Sequence, residues 1–557
     1  MTGRAATVWH RWLAAGLFAL VFLYRFNALG GSLGGFDDDH FINLTRASQV
    51  LAGEWPLRDF ADASLQGAWP PLTYLASAGA QLAVGHTLLA EAVLTAGAIA
   101  LAAVLTLLAG RSMGLPVLVA AAAATFSVLP SVKLYGYARP LVFAAGSLLL
   151  FRYIDRSSWR RLLAMAAAGS AAFLIRHDYA VYMGAGAVVG LISHHVATPR
   201  VAVSRAVAYS GAAVLLLLPT LLIVHQIVGL DAYLASADAL IADERARTDA
   251  AWPLFEGADV TALPNAIAFL YYLFLFLPCV AALTAIVRAR RVGADDSLAK
   301  VLSLSAVAAL GNYLLLRNNL EGRLADAAVP ASLLGAWLLV SAWRAMRRAR
   351  GGALRAASAA ACAAALLAAG AAAVAAGEVG SVSSELSSTR FRGGPMATLE
   401  TTARVARELN AMPPRSWDTI PAGGAMMAAA YLSTCLRPQD RVVNTTYFTE
   451  FLVFGRRLPA AGQANFVRGF YASEADQRRA LARLAAQSAP VALMDPSPLS
   501  DSFVDDFPIV GRFLFDHYEE AGVIPQRESG ETYLRVFVRR DQAPVGTFAD
   551  TGLPCFR

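Results

Sequence analysis

The chain is 557 residues long, 57% of them hydrophobic and only 16% charged, with a mean hydropathy of +0.49. A soluble globular protein carries about 25% charged residues, so a disordered chain, a collagen-like fibre and a small disulfide scaffold are all excluded. The net charge of +7 comes almost wholly from arginine, lysine occurring only at Lys133 and Lys300; arginines beside apolar runs read as membrane flanks, not as a nucleic-acid footprint.

From Val8 to Ala376 the apolar residues gather into runs of about 17–25, the length a helix needs to cross a bilayer core. The first, Val8 to Leu29, is too long for a signal-peptide core. Asn27-Ala28-Leu29-Gly30-Gly31 also makes a poor cleavage site, so a retained helix is expected. Further spans are predicted at 88–110, 116–134, 140–152, 161–175, 179–194, 206–229, 264–287, 299–316, 325–343 and 355–376, eleven in all. Between the first two lies a long loop, 30–87, with helical patterns at 40–52 and 72–85. Gly186 and Gly190 form a GxxxG spacing that close helix packing accounts for. Beyond Gly377 the composition becomes ordinary. The expected fold is an all-α polytopic membrane domain over 1–376, followed by a small α/β domain over 377–557.

Positive charge sets the orientation. With the N-terminus in the cytoplasm, every cytoplasmic connection holds at least one basic residue. The longer ones hold several: Arg152, Arg156, Arg160 and Arg161; Arg288, Arg290, Arg291 and Lys300; Arg344, Arg347, Arg348, Arg350 and Arg355. Eleven spans from that start put the tail outside. In an oxidising space Cys435 and Cys555 are the pair able to join, the alternative being two free thiols. Cys279 and Cys362 lie in apolar runs, and no CxxC or Cys/His cluster points to a cysteine-based metal site.

In the tail, Asp440–Asn444 and Pro490–Asp495 read as strands, Thr446–Arg456 and Ala475–Ser488 as helices, and Glu531–Arg539 as an alternating outer strand.

Ionisable groups at membrane depth are costly and usually mark function. Here they collect at the outer ends of the predicted spans: Asp37-Asp38-Asp39-His40, Glu91, Lys133 with Tyr137 and Arg139, Arg176-His177-Asp178-Tyr179, then Arg317, Glu321, Arg323 and Asp326. A polar cavity at the outer leaflet explains this gathering. Each group also has a structural alternative: the aspartates as helix caps, Arg139 and Arg176 snorkelling to headgroups, His177 as an interfacial histidine, and Arg317 and Arg323 pairing with Glu321 and Asp326. Yet a cap needs one acid, whereas three adjacent carboxylates repel, which raises the proton affinity of at least one and suits a general base. Arginine forks recognise phosphate. Acid and arginine together suit displacement of a phosphate leaving group from a sugar, and outside the cytosol such a donor has to be carried on a lipid.

Asp39-His40-Phe41, then Gly53-Glu54-Trp55-Pro56-Leu57-Arg58-Asp59-Phe60, then Trp69-Pro70-Pro71-Leu72-Thr73-Tyr74 resemble the first outer loop of GT-C superfamily glycosyltransferases. The nearest group is that of the dolichyl-phosphate-mannose–protein mannosyltransferase-like and aminoarabinose-transferase-like bacterial membrane enzymes. Tyr137-Ala138-Arg139-Pro140 is similar to the Ala-Arg-Pro element after the family's third span. The chain departs from the pattern at His40, where the family has a second acid, and at Leu141, where an acid often follows Ala-Arg-Pro.

The resemblance implies transfer of a sugar from a polyprenyl-phosphate donor to an envelope glycolipid or a protein, in the bacterial inner membrane, with a periplasmic tail. It implies Asp39 or Asp38 as the base, and Lys133, Arg139, Arg176 and Arg317 on the donor phosphate. Asp37, Tyr137, His177, Glu321 and Arg323 would line the site. It implies no metal, although three aspartates could hold a divalent ion through waters. A transporter or flippase of a polyprenyl-linked glycan is the alternative; it calls for inverted repeats and charges near the midplane, and no repeat is visible.

Overall fold

The computed structural model describes residues 3–29, 36, 38–56, 58–60, 71–129, 134–235, 252–256, 262–293, 295–312, 320–348, 386–413, 423–466, 472–496, 503–526 and 530–557, with positions 352, 357, 360 and 364. The predicted span at 355–376 therefore lies almost wholly outside the described residues. So do Asp37, Lys133 and Arg317, and the side chains of Glu321 and Arg323.

The long apolar runs become helices: α1 (Gly3–Ala28), α4 (Leu88–Ser112), α5 (Val117–Val128), α6 (Ala138–Asp155), α7 (Trp159–Ile175), α8 (His177–His194), α9 (Pro199–Ile227), α10 (Leu263–Val292), α11 (Asp296–Gly311) and α12 (Leu320–Arg348). The two patterns in the first loop become α2 (Asp38–Leu51) and α3 (Leu72–Val84). By length and hydropathy four of the described helices can each cross a membrane: α4, α9, most of α10, and Asp326–Arg347 within α12. Helix α9 is the barest. Its most apolar window has a mean hydropathy of 2.2 and is only 11% buried. Val203, Val207, Val214, Leu215 and Leu222 are all exposed on it. An apolar surface of that extent needs lipid or another protein against it.

Chain packing divides the molecule into two units. The first takes Met1–Gly35, Thr95–Pro219 and Arg245–Thr402; the second takes Phe36–Leu94, Thr220–Glu244 and Ala403–Arg557. This grouping by contact is a different partition from the compositional one at 376/377.

In the first unit, helices α8 and α11 approach closely where α8 has no side chains. A Cβ added at Gly186 would stand 2.3 Å from Val307 Cγ2 and 3.0 Å from the Ser303 carbonyl oxygen, while Ser303 Oγ donates to the Gly186 carbonyl at 2.8 Å. The buried Arg25 of α1 donates to the carbonyls of Val128 and Leu129, groups that the end of α5 leaves unsatisfied. Lys300, 3% exposed, is ion-paired with Asp155 and donates to the Ser112 carbonyl at 2.7 Å, tying together the ends of α4, α6 and α11.

The second unit holds a four-stranded sheet of order β1-β2-β4-β3, built from β1 (Val442–Asn444), β2 (Val491–Met494), β3 (Tyr518–Pro525) and β4 (Thr532–Arg539). Strands β1 and β2 are parallel, and the other pairings are antiparallel. β1 and β2 are buried along their whole length, as a parallel pair covered on both faces requires. Helices α13 (Gly394–Asn410), α14 (Gly423–Cys435), α15 (Glu450–Phe454), α16 (Glu474–Ala485), α17 (Phe503–Asp506) and α18 (Pro508–His517) complete the tail; α13 begins in the first unit, which ends at Thr402. A short pair, β5 (Gly546–Thr547) and β6 (Pro554–Cys555), lies beyond them. Cys435 and Cys555 form a disulfide with Cα atoms 4.3 Å apart, and the Phe556 N–H donates to the Cys435 carbonyl at 2.8 Å.

Two predicted elements are corrected. Glu531–Arg539, expected as an outer strand, is the inner strand β4, paired with β2 on one side and β3 on the other. The helix expected over Thr446–Arg456 shrinks to α15, because Asn444 folds the chain before it. The Thr446 N–H donates to Asn444 Oδ1 at 3.1 Å, and Asn444 Nδ2 donates to the carbonyls of Phe448 (2.7 Å) and Ala464 (3.0 Å). A short polar side chain that bonds nearby backbone competes with helix formation.

Two outcomes are expected. Gly186→Ala overpacks α8 against α11 and lowers stability by about 1–3 kcal/mol, read as a drop in the unfolding midpoint in detergent. Replacing Cys435 and Cys555 by serine opens a loop of sequence separation 120. The tail then loses about 4–5 kcal/mol by loop-entropy reasoning, seen as earlier proteolysis of the second unit.

Candidate functional site

The double acid opens α2. Asp38 and Asp39 occupy its first turn, both half-buried, where a helix N-terminus favours negative charge. The turn at Asn444 delivers two tail residues to them. The Tyr447 hydroxyl donates to Asp39 Oδ1. Three residues on, Glu450 is 93% buried and accepts the Tyr533 hydroxyl on Oε1 at 2.8 Å. Burial pushes the Glu450 carboxyl above the ordinary glutamate range. The Asp38 charge adds to that push, against the opposing pull of the Tyr533 hydroxyl and the backbone N–H groups of Glu450 and Thr449. Burial, then its hydrogen-bonded partner Glu450 and the Asp38 and Asp495 carboxylates, push the Tyr533 phenol well above its ordinary range. The second unit thus sets an ionisable pair, Asp38 and Asp39, beside an acid biased toward its neutral form.

His40 and Glu91 are structural. His40 Nε2 lies 3.3 Å from Glu91 Oε2, and both side chains are buried. Ser77 Oγ donates to the same oxygen at 2.8 Å, and Gln81 Nε2 reaches Oε1 at 3.4 Å. This knot joins α2, α3 and the start of α4.

The loop motif is structural as well. Gly53 adopts φ 87°, where a Cβ is disfavoured. Asp59 Oδ2 accepts the Trp55 N–H at 2.7 Å. Phe60 is fully buried with its ring 5.8 Å from Tyr74. Arg58 beside it holds the Asp59 carboxyl below the usual range. The tail grips this loop at several points. Arg441 pairs with Glu54, Arg483 Nη2 donates to the Arg58 carbonyl at 2.6 Å, and Phe41 meets Phe454 with centroids 5.3 Å apart.

The described arginine candidates belong to the first unit, and each faces a carboxylate. Asp326 accepts the Tyr179 hydroxyl at 2.9 Å and has Arg139 Nη1 at 3.6 Å. Arg176 Nε lies 2.9 Å from Asp178 Oδ1, with its guanidinium 5.3 Å from the Tyr179 ring centre. Tyr179 therefore links the Arg139 and Arg176 pairs at the starts of α6, α8 and α12. Tyr137 is buried, and His177 packs on Phe173 at 4.3 Å. Among the described residues, no group of three or more His, Cys, Asp or Glu is placed to hold a metal ion.

Sequence reading passed over Tyr447, Glu450 and Tyr533. The signal was there: Glu450 is the one acid in the apolar run Tyr447-Phe448-Thr449-Glu450-Phe451-Leu452-Val453-Phe454, and a carboxylate so placed is either buried with a partner or costly.

No family model matches the chain, and no curated protein does. Among solved structures it is similar to ArnT from Cupriavidus metallidurans in the apo state, at 14% identity and a TM-score of 0.43, covering 96% of this chain and 98% of that one. It is also similar to the same protein bound to undecaprenyl phosphate, at 12% identity and a TM-score of 0.36 over the same shares of the two chains.

The Asp326 arrangement gives a graded expectation. Tyr179→Phe removes one donor and costs about 1–3 kcal/mol. Asp326→Ala removes the buried carboxylate that faces Arg139 and costs about 3–5 kcal/mol. Unfolding midpoints of the two variants in detergent check the order.

Proposed function

We propose that the chain is a GT-C-type integral-membrane glycosyltransferase that moves a sugar from a polyprenyl-phosphate donor to a glycolipid or protein acceptor on the outer face of the bacterial cytoplasmic membrane. The observation that carries the reading is the half-buried Asp38 and Asp39 pair at the start of α2, with Asp39 oriented by the Tyr447 hydroxyl. An oriented carboxylate that still reaches solvent suits a general base. The same pair carries the resemblance noted in the sequence.

In this reaction one of the two aspartates takes the proton of the acceptor hydroxyl. The acceptor oxygen forms a bond to the anomeric carbon as the bond from that carbon to the phosphate oxygen breaks, with inversion, and polyprenyl phosphate leaves. Lys133, Arg139, Arg176 and Arg317 meet the leaving phosphate. Arg139 and Arg176, already beside Asp326 and Asp178, exchange part of that pairing for the donor phosphodiester and for the second charge that develops as the phosphate leaves, which a guanidinium fork suits. Tyr137, His177, Glu321 and Arg323 line the donor side.

The layout behind this reading is eleven spans with a cytoplasmic N-terminus and a periplasmic tail. The Cys435–Cys555 disulfide supports an oxidising location for the tail, and the bare apolar face of α9 supports a lipid surround.

Purified chain in nanodiscs, given polyprenyl-phosphate sugars and envelope glycolipid extract, is expected to transfer sugar to the extract. Asp39→Asn or Asp38→Asn lowers the rate by about 100-fold or more, the usual contribution of a general base. Full activity in both variants rejects the assignment of the base.

A further inference from the structure

We propose that Glu450 is a positioning acid for the aspartate pair: Tyr533 seats it on the turn whose Tyr447, three residues earlier, holds Asp39 at the start of α2. On this view the tail supplies part of the acid site. The inference deepens the glycosyl-transfer reading and rests on it.

Three observations place Glu450 in this role. First, the turn built by Asn444 fixes both Tyr447 and the start of α15, so the two groups are delivered to α2 as one piece. Second, Glu450 has its seat prepared. Gly424 leaves room for the Tyr533 ring, since a Cβ there would stand 2.3 Å from Tyr533 Cγ. Phe448 stacks on the same ring at 6.4 Å. Third, Glu450 Oε2 is buried and, among the described residues, has no hydrogen bond of good geometry. A buried oxygen in that state is better tolerated on a neutral carboxyl than on a carboxylate.

The charged and titratable groups facing Glu450 are Asp38 from α2, Tyr533 from β4 and, acting on Tyr533, Asp495 after β2. Among the described residues all of these are acids, and none of them supplies a positive charge to an ionised Glu450. Glu450, buried with one oxygen unmatched, is the acid that holds its proton, and the negative charge of Asp38 favours that form.

The proton on Glu450 also makes stability depend on pH. A carboxyl that binds its proton more tightly in the folded state than in the unfolded chain costs stability as pH rises from the ordinary glutamate range through its raised folded value.

The test uses the full chain in nanodiscs, as wild type, Glu450→Gln, Glu450→Ala and Asp38→Asn. Unfolding midpoints are measured across the acid-to-alkaline range, and sugar transfer across the same range. Glu450→Gln, which keeps the shape without the titration, is expected to remove the fall in midpoint above the ordinary glutamate range, and Asp38→Asn to reduce it. In transfer, Glu450→Gln keeps the neutral rate within about threefold and moves the alkaline limb up by about one pH unit or more, whereas Glu450→Ala loses about tenfold.

Unfolding and rate profiles of Glu450→Gln that superimpose on wild type overturn the proposal. A wild type that transfers no sugar overturns the glycosyltransferase reading instead, and the unfolding profiles still report whether Glu450 and Asp38 are coupled.

Discussion

The constraint on which this molecule depends is that a charge withdrawn from water must be answered. In a chain 57% hydrophobic, each buried ionic group recruits partners from distant sequence. Glu91 takes His40, Ser77 and Gln81. Asp326 takes Tyr179 and Arg139. Lys300 takes Asp155 and the Ser112 carbonyl. Glu450, bonded to the Tyr533 phenol on one oxygen, is relieved instead by holding its proton. Removing one member of such a set costs more than the set contributes, because the survivor is left desolvated and unpaired. These pairings therefore fix which helix ends meet and in what register, more than they add net stability.

The helices were legible because their cause is local. Long apolar runs bounded by glycine, proline and arginine predict where α1, α4 and α6–α12 fall, although α9 begins at Pro199 and not at 206, and the loop patterns at 40–52 and 72–85 emerge as α2 and α3. Strands β1, β2 and β4 were legible for the same reason. The helix over Thr446–Arg456 was not, since what cuts it short is the Asn444 side chain, whose carboxamide bonds reach Phe448 and, twenty residues away, Ala464. The site was legible in its acids and arginines but not in their partners. Tyr447 reaches Asp39 across 408 positions, and Tyr179 reaches Asp326 across 147. No periodicity encodes a contact of that separation.

The family-like loop motif separates into two kinds of residue. Gly53, Asp59, Phe60 and Tyr74 shape and bury the turn, whereas Asp38 and Asp39 remain half-exposed at a helix start. The first kind holds the second in place, and the tail reinforces both through Arg441 on Glu54 and Arg483 on the Arg58 carbonyl. A substitution in the turn and one in the acids would then look alike in an activity assay yet differ in stability.

The near absence of lysine has a practical consequence for chemical labelling. Only Lys133 and Lys300 carry side-chain amines, and Lys300 is shielded by Asp155 with 3% of its surface accessible. Amine-reactive reagents applied to the folded protein should therefore leave Lys300 largely untouched, and its labelling should appear only as the Lys300–Asp155 contact opens.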